Sequence, residues 1–328
     1  MDIQITDKKF TFIDLFAGIG GLRIALEAFG GKCVFSSEWD NFAAVTYKHN
    51  FREKPADDIT KIDASHILSH DLLCAGFPCQ AFSISGKQGG FSDTRGTLFF
   101  DIARIAEYHM PKVLFLENVK NLVRHDNGRT LSTIIRVLNE IGYDVFFEIL
   151  DASDFGIPQS RKRVFFVCFK KEFNIKRFEF PRPKPIPVIL KNILEPNSKT
   201  SEFIIKREDI KIKKNSFPKK DIFGYYPQKP VRIGTINKGG QGERIYSING
   251  HAITLSAYGG GAAAKTGAYL VNGRVRKLSP RECLRLMGFP ENFELPVPTI
   301  QAYKQCGNSV VVPVVKEVFR KVLQTGIL

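Results

Sequence analysis

The stretch Phe10-Thr-Phe-Ile-Asp-Leu-Phe16, followed by Ala17-Gly-Ile-Gly-Gly21, decides the fold of this chain. Its first half is a short apolar run of the kind found in buried strands, and its second half is a glycine turn. Helical periodicity follows over residues 22–29. A strand that passes through a glycine turn into a helix is the opening unit of a parallel sheet with helical crossovers.

Further strand-like runs, separated by helical stretches, continue this pattern through the first half of the chain. They are residues 33–37, 71–75, 113–116, 146–150 and 164–169. Strands that alternate with helices predict a parallel sheet covered on both faces. The predicted fold class is therefore α/β, a doubly wound, mostly parallel sheet of the Rossmann-like type, with a second, smaller domain.

The second domain is predicted from a change of composition after Pro181-Arg-Pro-Lys-Pro-Ile-Pro187, which can sustain neither a helix nor a central strand. Residues 182–232 carry thirteen Lys and Arg against five Asp and Glu, and a glycine-rich region follows at 238–267. Helical periodicity returns after Pro280. We expect a catalytic, cofactor-binding domain at 1–188, completed by a C-terminal helix at 304–328, and a recognition domain with a hinge at 189–303.

The charge of the 328-residue chain indicates a polyanionic partner. Its formal net charge is +15, which suits nucleic acid, although a merely soluble basic protein has the same property. No signal-peptide pattern and no apolar run of membrane-spanning length is visible. The six cysteines form no Cys-x-x-Cys pair. The sequence therefore predicts reduced thiols, no metal site and a cytoplasmic protein.

An acidic residue follows the glycine turn at the spacing typical of an adenosine-binding site. Glu38 comes about 20 residues after the turn, where a ribose hydroxyl needs an acceptor. Arg23 stands where the third glycine of G-x-G-x-x-G belongs, which disfavours a nicotinamide cofactor and hence a dehydrogenase. The turn by itself also fits an ordinary tight turn.

Polar side chains near further strand ends are candidates for catalysis. Cys79 follows a predicted strand and is a candidate nucleophile, although a free cysteine is more often a small buried hydrophobe. Glu117 ends the next strand, where it can donate a proton, cap a helix or face solvent. Arg161 and Arg163 can hold a phosphate or carboxylate, or be solvated. Open α/β sheets bind ligands at the carboxyl edge of their strands, so we expect these residues to share a site.

The order of these motifs resembles that of the DNA cytosine-5 methyltransferases. The family's cofactor motif is matched by Asp14-Leu-Phe-Ala-Gly-Ile-Gly-Gly21 and its nucleophile motif by Gly76-Phe-Pro-Cys79-Gln80. Four further motifs follow in family order: Glu117-Asn-Val119, Gln159-Ser-Arg-Lys-Arg163, Arg281-Glu-Cys-Leu-Arg-Leu-Met-Gly-Phe-Pro290 and Gly307-Asn-Ser309. The resemblance covers nearly the whole chain. It implies transfer of a methyl group from S-adenosyl-L-methionine, with S-adenosyl-L-homocysteine as product, to carbon 5 of a cytosine flipped out of duplex DNA.

The resemblance also implies the roles of individual residues. Cys79 would attack carbon 6 of the cytosine, and Glu117 would hydrogen-bond its nitrogen 3 and amino group. Arg163 would steady the carbonyl oxygen, and Arg161 would support the carboxylate or the flipped nucleotide. The residues implied in cofactor binding are Phe16, Gly18, Gly20, Glu38, Trp39, Asp58, Ile59, Pro78, Leu98 and Asn308.

Two stretches of the second domain look like the recognition region of a family member that methylates the inner cytosine of GCGC. They are Lys238-Gly-Gly-Gln-Gly-Glu-Arg-Ile-Tyr-Ser247 and Ala252-Ile-Thr-Leu-Ser-Ala-Tyr-Gly-Gly-Gly261. Arg244 suits a guanine O6/N7 contact, and Gln241 or Ser85 would fill the space left by the flipped base. The residues expected at DNA are Ser83, Ser85, Gln241, Arg244, Thr254, Ser256 and Tyr258. Residues 187–229 match only loosely, which affects sequence preference rather than chemistry.

The expected partner is double-stranded DNA, and the protein is expected to be a monomer in the bacterial cytoplasm, away from membranes, within a restriction–modification system. Two other functions fit the same motifs: a tRNA cytosine-5 methyltransferase, and a DNA-binding protein that keeps the fold without catalysis. The presence of Cys79 argues against the second. Major-groove contacts of the recognition segment favour duplex DNA over tRNA.

Overall fold

The computed structural model describes residues 10–78, 98–184 and 186–328 of the chain. The chain divides into two compact units. The first unit consists of Met1–Leu150, Lys162–Pro181 and Val315–Leu328, and the second of Asp151–Arg161 and Arg182–Val314.

The first unit is built on a six-stranded sheet of order β2-β1-β3-β4-β6-β5. Its strands are β1 (Thr11–Leu15), β2 (Lys32–Ser37), β3 (Leu72–Gly76), β4 (Val113–Val119), β5 (Tyr143–Asp151) and β6 (Lys162–Lys170). The four strands β2, β1, β3 and β4 are parallel, while β6 pairs antiparallel with β4. Six of the seven residues of β4 are buried, as expected for a central strand covered on both faces.

Helices cover this sheet. They are α1 (Gly21–Glu27), α2 (Asn41–Phe51), α3 (Leu98–His109) and α4 (Arg129–Glu140), and the last helix of the chain, α7 (Val312–Leu323), returns to the sheet. The Phe319 ring of α7 lies 5.2 Å from the ring of Phe10 and 6.3 Å from that of Phe115. The C-terminal residues therefore complete the core of the first unit, although they are distant from it in sequence.

The second unit carries its own five-stranded sheet of order β11-β10-β9-β8-β7. The strands are β7 (Lys211–Ile212), β8 (Arg232–Thr235), β9 (Arg244–Ser247), β10 (Ala268–Val271) and β11 (Arg274–Arg276), and the helices are α5 (Pro280–Met287) and α6 (Thr299–Asn308). Ser279 begins α5 with a capping box to Glu282, with proline at the first helical position. The Glu282 carboxylate also forms a buried ion pair with Arg276, at 2.7 Å.

Short 3-10 turns connect these elements at Ile59–Lys61, Ala64–His66, Lys120–Gly128, Ala152–Phe155, Lys171–Phe173, Leu190–Ile193, Asn197–Lys199, Ser201–Phe203 and Lys214–Ser216. Among the described residues, no helix has the length and apolar character needed to cross a bilayer.

Candidate active site

The carboxyl edge of the parallel strands collects the motif residues of the first unit. In the sheet register, Leu15 lies opposite both Ser37 and Ala75, and Gly76 lies opposite Glu117. The turn after β1, the residues after β2 and β3, and the carboxylate of Glu117 therefore share one edge. This is the edge at which the sequence predicts a ligand site.

The turn after β1 adopts a backbone that favours glycine. Phe16, Gly18 and Gly20 all have positive φ, of 55°, 56° and 85°. A Cβ atom at Gly18 would meet no atom within 4 Å, whereas at Gly20 it would lie 2.2 Å from the Phe51 ring. Gly20 is thus required by packing, while the space at Gly18 is open to a ligand.

Glu38 fastens this turn to the end of β2. One oxygen of its carboxylate accepts a hydrogen bond from the Gly18 amide and the other from the Asp40 amide, both at 2.8 Å. Asp40 in turn accepts from the first amides of α2. The Glu38 side chain is therefore held in one orientation, as a hydroxyl-binding carboxylate must be.

Asp14, which sequence analysis did not single out, lies in β1 just before the turn. Its side chain is fully buried and accepts a weak hydrogen bond from the Cys74 thiol, at 3.7 Å. Burial raises the pKa of Asp14 to about 7, against the attraction of Arg23. The sequence signal was present, because a carboxylate inside an apolar strand of a parallel sheet is an unusual choice.

The other predicted cofactor residues of the first unit differ in exposure. Trp39 is 73% exposed, and Pro78 at the end of β3 is exposed as well. Asp58 caps the turn that begins at Ile59, and the hydrogen bond from the Thr60 hydroxyl lowers the pKa of its carboxyl. Phe16 and Leu98 are half-buried, and Ile59 is buried. Asn308 is exposed at the end of α6, in the second unit.

Glu117 and Arg163 form the polar pair of the first unit. The antiparallel register places Val119 opposite Arg163, so Glu117 is the diagonal neighbour of Arg163 across β4 and β6. Arg163 Nε lies 3.1 Å from Glu117 Oε1, and both side chains are mostly buried. The pairing holds the carboxylate in a fixed position, with an arginine beside it.

Asn118, next to Glu117, ties β4 to the segment that follows β3. Its side-chain amide donates to the carbonyl of Phe77 at 2.9 Å, and its oxygen accepts from the Val119 amide at 2.8 Å. Asn118 thereby fixes the backbone one residue before Pro78. Asn118 belongs to a sequence motif, but its role could not be predicted because its partner is 41 residues away.

Three predicted residues, Cys79, Ser83 and Ser85, lie outside the described residues. The other five cysteines, Cys33, Cys74, Cys168, Cys283 and Cys306, are all free and buried. Burial raises the thiol pKa of Cys33 and of Cys306 to about 12, and raises that of the other three as well. None of these five forms a thiolate readily near neutral pH.

Arg161 belongs to the second unit and is only 2% exposed. Its guanidinium donates to the carbonyl of Leu255 at 2.9 Å, to that of Gly307 at 2.9 Å and to that of Ser309 at 2.7 Å. It thus joins the second recognition stretch to the end of α6. Gln159 acts similarly, since its side chain donates to Leu286 and accepts from the Leu255 amide.

The two recognition stretches are packed against each other by backbone. Gly242, with a φ of 77°, accepts a hydrogen bond from the Ala263 amide at 2.8 Å. A Cβ atom on Gly242 would lie 2.1 Å from the carbonyl oxygen of Gly260. Only glycine permits this approach. The neighbouring side chains of Gln241 and Arg244 are exposed.

Residues 254–258 form a turn held by short contacts. Thr254 donates to the carbonyl of Ser160 at 2.5 Å, and Ser256 donates to that of Tyr258 at 2.5 Å. Tyr258 itself is 72% exposed. The structure thus brings Gln241, Arg244, Thr254, Ser256 and Tyr258 together in one unit, with the last side chain projecting into solvent.

No group of three or more His, Cys, Asp or Glu side chains suited to a metal ion occurs among the residues that the structure describes. The glycine turn, the fixed Glu38 carboxylate and the polar strand ends fit an adenosine-bearing cofactor on a Rossmann-like sheet, as expected for the S-adenosylmethionine-dependent methyltransferases that the motif order resembles. Solved structures support this fold at low sequence identity. A DNMT2 mutant from Spodoptera frugiperda matches with a TM-score of 0.73 at 20% identity, over 96% of this chain and 99% of that one. The S. pombe Dnmt2 methyltransferase gives 0.72 at 20% identity, over 96% and 98%.

The chain belongs to the C-5 cytosine-specific DNA methylase family, whose family model matches residues 10–324. It is 53% identical to the type II methyltransferase M.HhaI of Haemophilus parahaemolyticus, over 96% of this chain and 95% of that protein. It is 44% identical to the type II methyltransferase M.HpaII of Haemophilus parainfluenzae, over 97% and 90%. The predicted fold class, family, enzyme activity and cofactor are confirmed: this is a DNA cytosine-5 methyltransferase that uses S-adenosylmethionine.

Proposed function

We propose that this enzyme is the modification methyltransferase of a type II restriction–modification system and methylates the inner cytosine of GCGC in duplex DNA. The observation that carries the chemistry is the Glu117–Arg163 pair, at 3.1 Å, on the strand edge next to Pro78. The GCGC site rests on the resemblance of the recognition stretches. We further propose that the enzyme acts as a monomer in the cytoplasm.

The reaction begins at a base flipped out of the duplex, at a cost of about a few kcal/mol. The Cys79 thiolate adds to carbon 6, and the electron pair displaced from the 5,6 double bond makes carbon 5 nucleophilic. Glu117 hydrogen-bonds nitrogen 3 and the amino group, and Arg163 steadies the carbonyl oxygen. The bound cofactor supplies the methyl group that carbon 5 takes up. A base then removes the proton of carbon 5, and the electron pair of that bond restores the double bond and expels Cys79 as thiolate.

The burial of the other cysteines supports Cys79 as the nucleophile. Each of the five described cysteines is enclosed in apolar surroundings that raise its thiol pKa. An attacking thiolate needs the opposite environment, with access to substrate and a stabilised charge. Cys79 directly follows Pro78, which is exposed at the carboxyl end of β3.

The residues of the strand edge fit S-adenosylmethionine. The open space at Gly18 admits a ligand to the turn, and two amides hold the Glu38 carboxylate in the orientation that an acceptor for ribose hydroxyls requires. Phe16 would contact the adenine, with Trp39 beside it and Asp58 and Ile59 at the adenine edge. Gly20, Pro78 and Leu98 would complete the lining, and Asn308 would bound the methionine end.

In the second unit, exposed polar side chains on glycine-rich turns are suited to read DNA. Arg244 matches the two acceptors of guanine in the major groove. Gln241 lies on the turn before β9 and would occupy the gap left by the flipped cytosine, together with Ser85. Ser83, Thr254, Ser256 and Tyr258 would contact the backbone and base edges. We propose accordingly that residues 1–188 and 304–328 serve catalysis and residues 189–303 target recognition.

The proposal is tested with labelled S-adenosylmethionine on three substrates: a GCGC duplex, a duplex with those bases scrambled, and a single-stranded RNA. We expect label only in the GCGC duplex, at carbon 5 of the inner cytosine. Equal label in the scrambled duplex would reject the recognition assignment but keep the chemistry. Label in RNA alone would favour a tRNA methyltransferase.

The nucleophile is tested separately with two cysteine variants. We expect Cys79→Ser to abolish turnover while DNA binding persists, because a serine hydroxyl does not supply the attacking thiolate. Cys33→Ser, which alters a buried thiol, is the matched control and should methylate normally. Full activity of Cys79→Ser would reject the nucleophile assignment.

A further inference from the structure

The connection between β7 and β8 exposes large apolar side chains. Ile222 is 92% exposed, Phe223 75%, Tyr225 50% and Phe217 43%. We call residues 217–226 the tip loop. Single exposed apolar residues are common, but four within ten residues concentrate apolar surface on one loop, as interaction surfaces do.

The tip loop is pre-formed. The Asp221 carboxylate accepts hydrogen bonds from the amides of Phe223 and Tyr225, both at 2.9 Å. The Asp221 amide donates to the Tyr225 carbonyl at 2.8 Å, and the Gly224 amide to the Asp221 carbonyl at 3.0 Å. These four bonds close a turn that holds Ile222 and Phe223 at its apex. A loop that is already ordered loses little conformational entropy when it binds a partner.

The base of the connection is anchored to the rest of the second unit. His251 donates its amide to the Lys229 carbonyl at 3.1 Å, and its ring Nε2 lies 3.0 Å from the Gln228 side-chain oxygen. The Ser247 amide donates to the Val231 carbonyl at 2.9 Å. The exposed apex therefore projects from a fixed base.

The surroundings of the tip loop are strongly basic. Residues 211–232 contain seven Lys and Arg and a single acidic residue, Asp221, whose carboxylate is used inside the turn. Lys219 and Lys220 stand exposed immediately before the apex. A positive field disfavours a second copy of the same surface and favours a polyanion. Apolar side chains among lysines suit a nucleic-acid groove, where lysines reach phosphates and apolar wedges press on base steps.

The tip loop and the turn with Gln241 are connected through β8. The tip loop precedes β8 (Arg232–Thr235), and the turn with Gln241 follows it. The two elements therefore leave opposite ends of one strand.

We propose that the tip loop binds the duplex beside the target sequence, with Lys219 and Lys220 on phosphates and Ile222 and Phe223 in the adjoining groove. This rests on the proposed function in one respect, that the second unit faces the target DNA. It adds a contact outside the recognition sequence, so that affinity depends on flanking DNA.

The test measures dissociation constants for duplexes that carry a central GCGC and are lengthened by one base pair at a time on either side. Three proteins are compared: the wild type, Lys219→Ala/Lys220→Ala and Ile222→Ser/Phe223→Ser. Lys54→Ala/Lys176→Ala and Leu68→Ser change exposed side chains of the first unit and serve as matched controls.

We expect all proteins to bind the shortest duplex equally, and only the wild type and the controls to gain affinity as the flank lengthens. On the long duplex the lysine variant should lower the slope of log affinity against log salt by about 1.8, which corresponds to two phosphate contacts. The apolar variant should lose affinity with the slope unchanged, because its contact is uncharged.

Equal binding by wild type and both variants at every length would overturn the proposal, and so would an equal loss on the shortest duplex. A wild type that self-associates in sedimentation while Ile222→Ser/Phe223→Ser stays monomeric would overturn it in favour of a second copy of the chain. Methylation of the shortest GCGC duplex by the wild type separates the two proposals. If that methylation fails, the proposed site is wrong, whereas the flank effect concerns binding alone.

Discussion

Replacing Arg161 with lysine should destabilise the folded protein, whereas the same change at Arg163 should mainly slow methyl transfer. Arg161 is 2% exposed and donates to three backbone carbonyls, those of Leu255, Gly307 and Ser309. A lysine keeps the charge but offers one nitrogen. Because Nη2 alone donates to both Gly307 and Ser309, while Nη1 donates to Leu255, about one of these buried carbonyls loses its partner. Each unsatisfied buried group costs about 1–3 kcal/mol. We therefore expect Arg161→Lys to lower the free energy of unfolding by about 2 kcal/mol.

The assay is urea unfolding of both variants, followed by methylation kinetics. Arg163 pairs with Glu117 through one Nε–Oε1 contact of 3.1 Å, and a lysine can keep a single contact of that kind. The free energy of unfolding of Arg163→Lys should therefore lie within about 1 kcal/mol of the wild-type value. Its turnover should nevertheless be slower, because the planar guanidinium that donates several hydrogen bonds beside the base is lost. A wild-type unfolding curve for Arg161→Lys, or the larger loss in Arg163→Lys, would refute this reasoning.

Three further changes test other contacts of the structure. Gly242→Ala should weaken binding to a GCGC duplex at least about tenfold, because its Cβ would lie 2.1 Å from a carbonyl oxygen in a left-handed backbone; Gly240→Ala, whose Cβ has no contact under 3.5 Å, should bind normally. Asp14→Asn should flatten stability against pH in urea unfolding: the folded pKa of about 7 lies above the usual 3.8, so the wild type loses stability as the pH rises between those values, and a variant with the same slope would contradict this. Arg276→Met should cost about 3–5 kcal/mol of unfolding free energy, because it leaves the buried Glu282 carboxylate unpaired; unchanged stability would show that the pair contributes nothing.

The strands could be predicted from sequence because their signal is local. The run at 33–37 becomes β2 (Lys32–Ser37), and the run at 164–169 becomes β6 (Lys162–Lys170). Apolar residues bounded by turns identify a strand without reference to any partner. The antiparallel pairing of β6 with β4 was not predictable in the same way, because direction within a sheet depends on the connection and not on the strand's own residues.

Arg161 and Arg163 show the same limit within the candidate site. They are two residues apart, and sequence analysis treated them as neighbours in one motif. In the structure Arg163 lies in β6 and contacts Glu117, while Arg161 precedes β6 and donates to carbonyls 94 to 148 residues away. Those acceptors are backbone atoms, which carry no residue-specific signal, so no pattern in the sequence could have indicated them.

The predicted catalytic residues and the predicted DNA-reading residues are held in place in different ways, and the difference has a physical reason. Glu117 and Arg163 lie on paired strands, whose register fixes the distance between their side chains, and a covalent reaction requires such fixed geometry. Gln241 lies beside Gly242 on a turn whose position is set by a glycine backbone rather than by strand pairing, and Arg244 begins β9 directly after that turn. A turn of this kind can change its side chains without disturbing the strands, so target preference can vary while the chemistry stays constant.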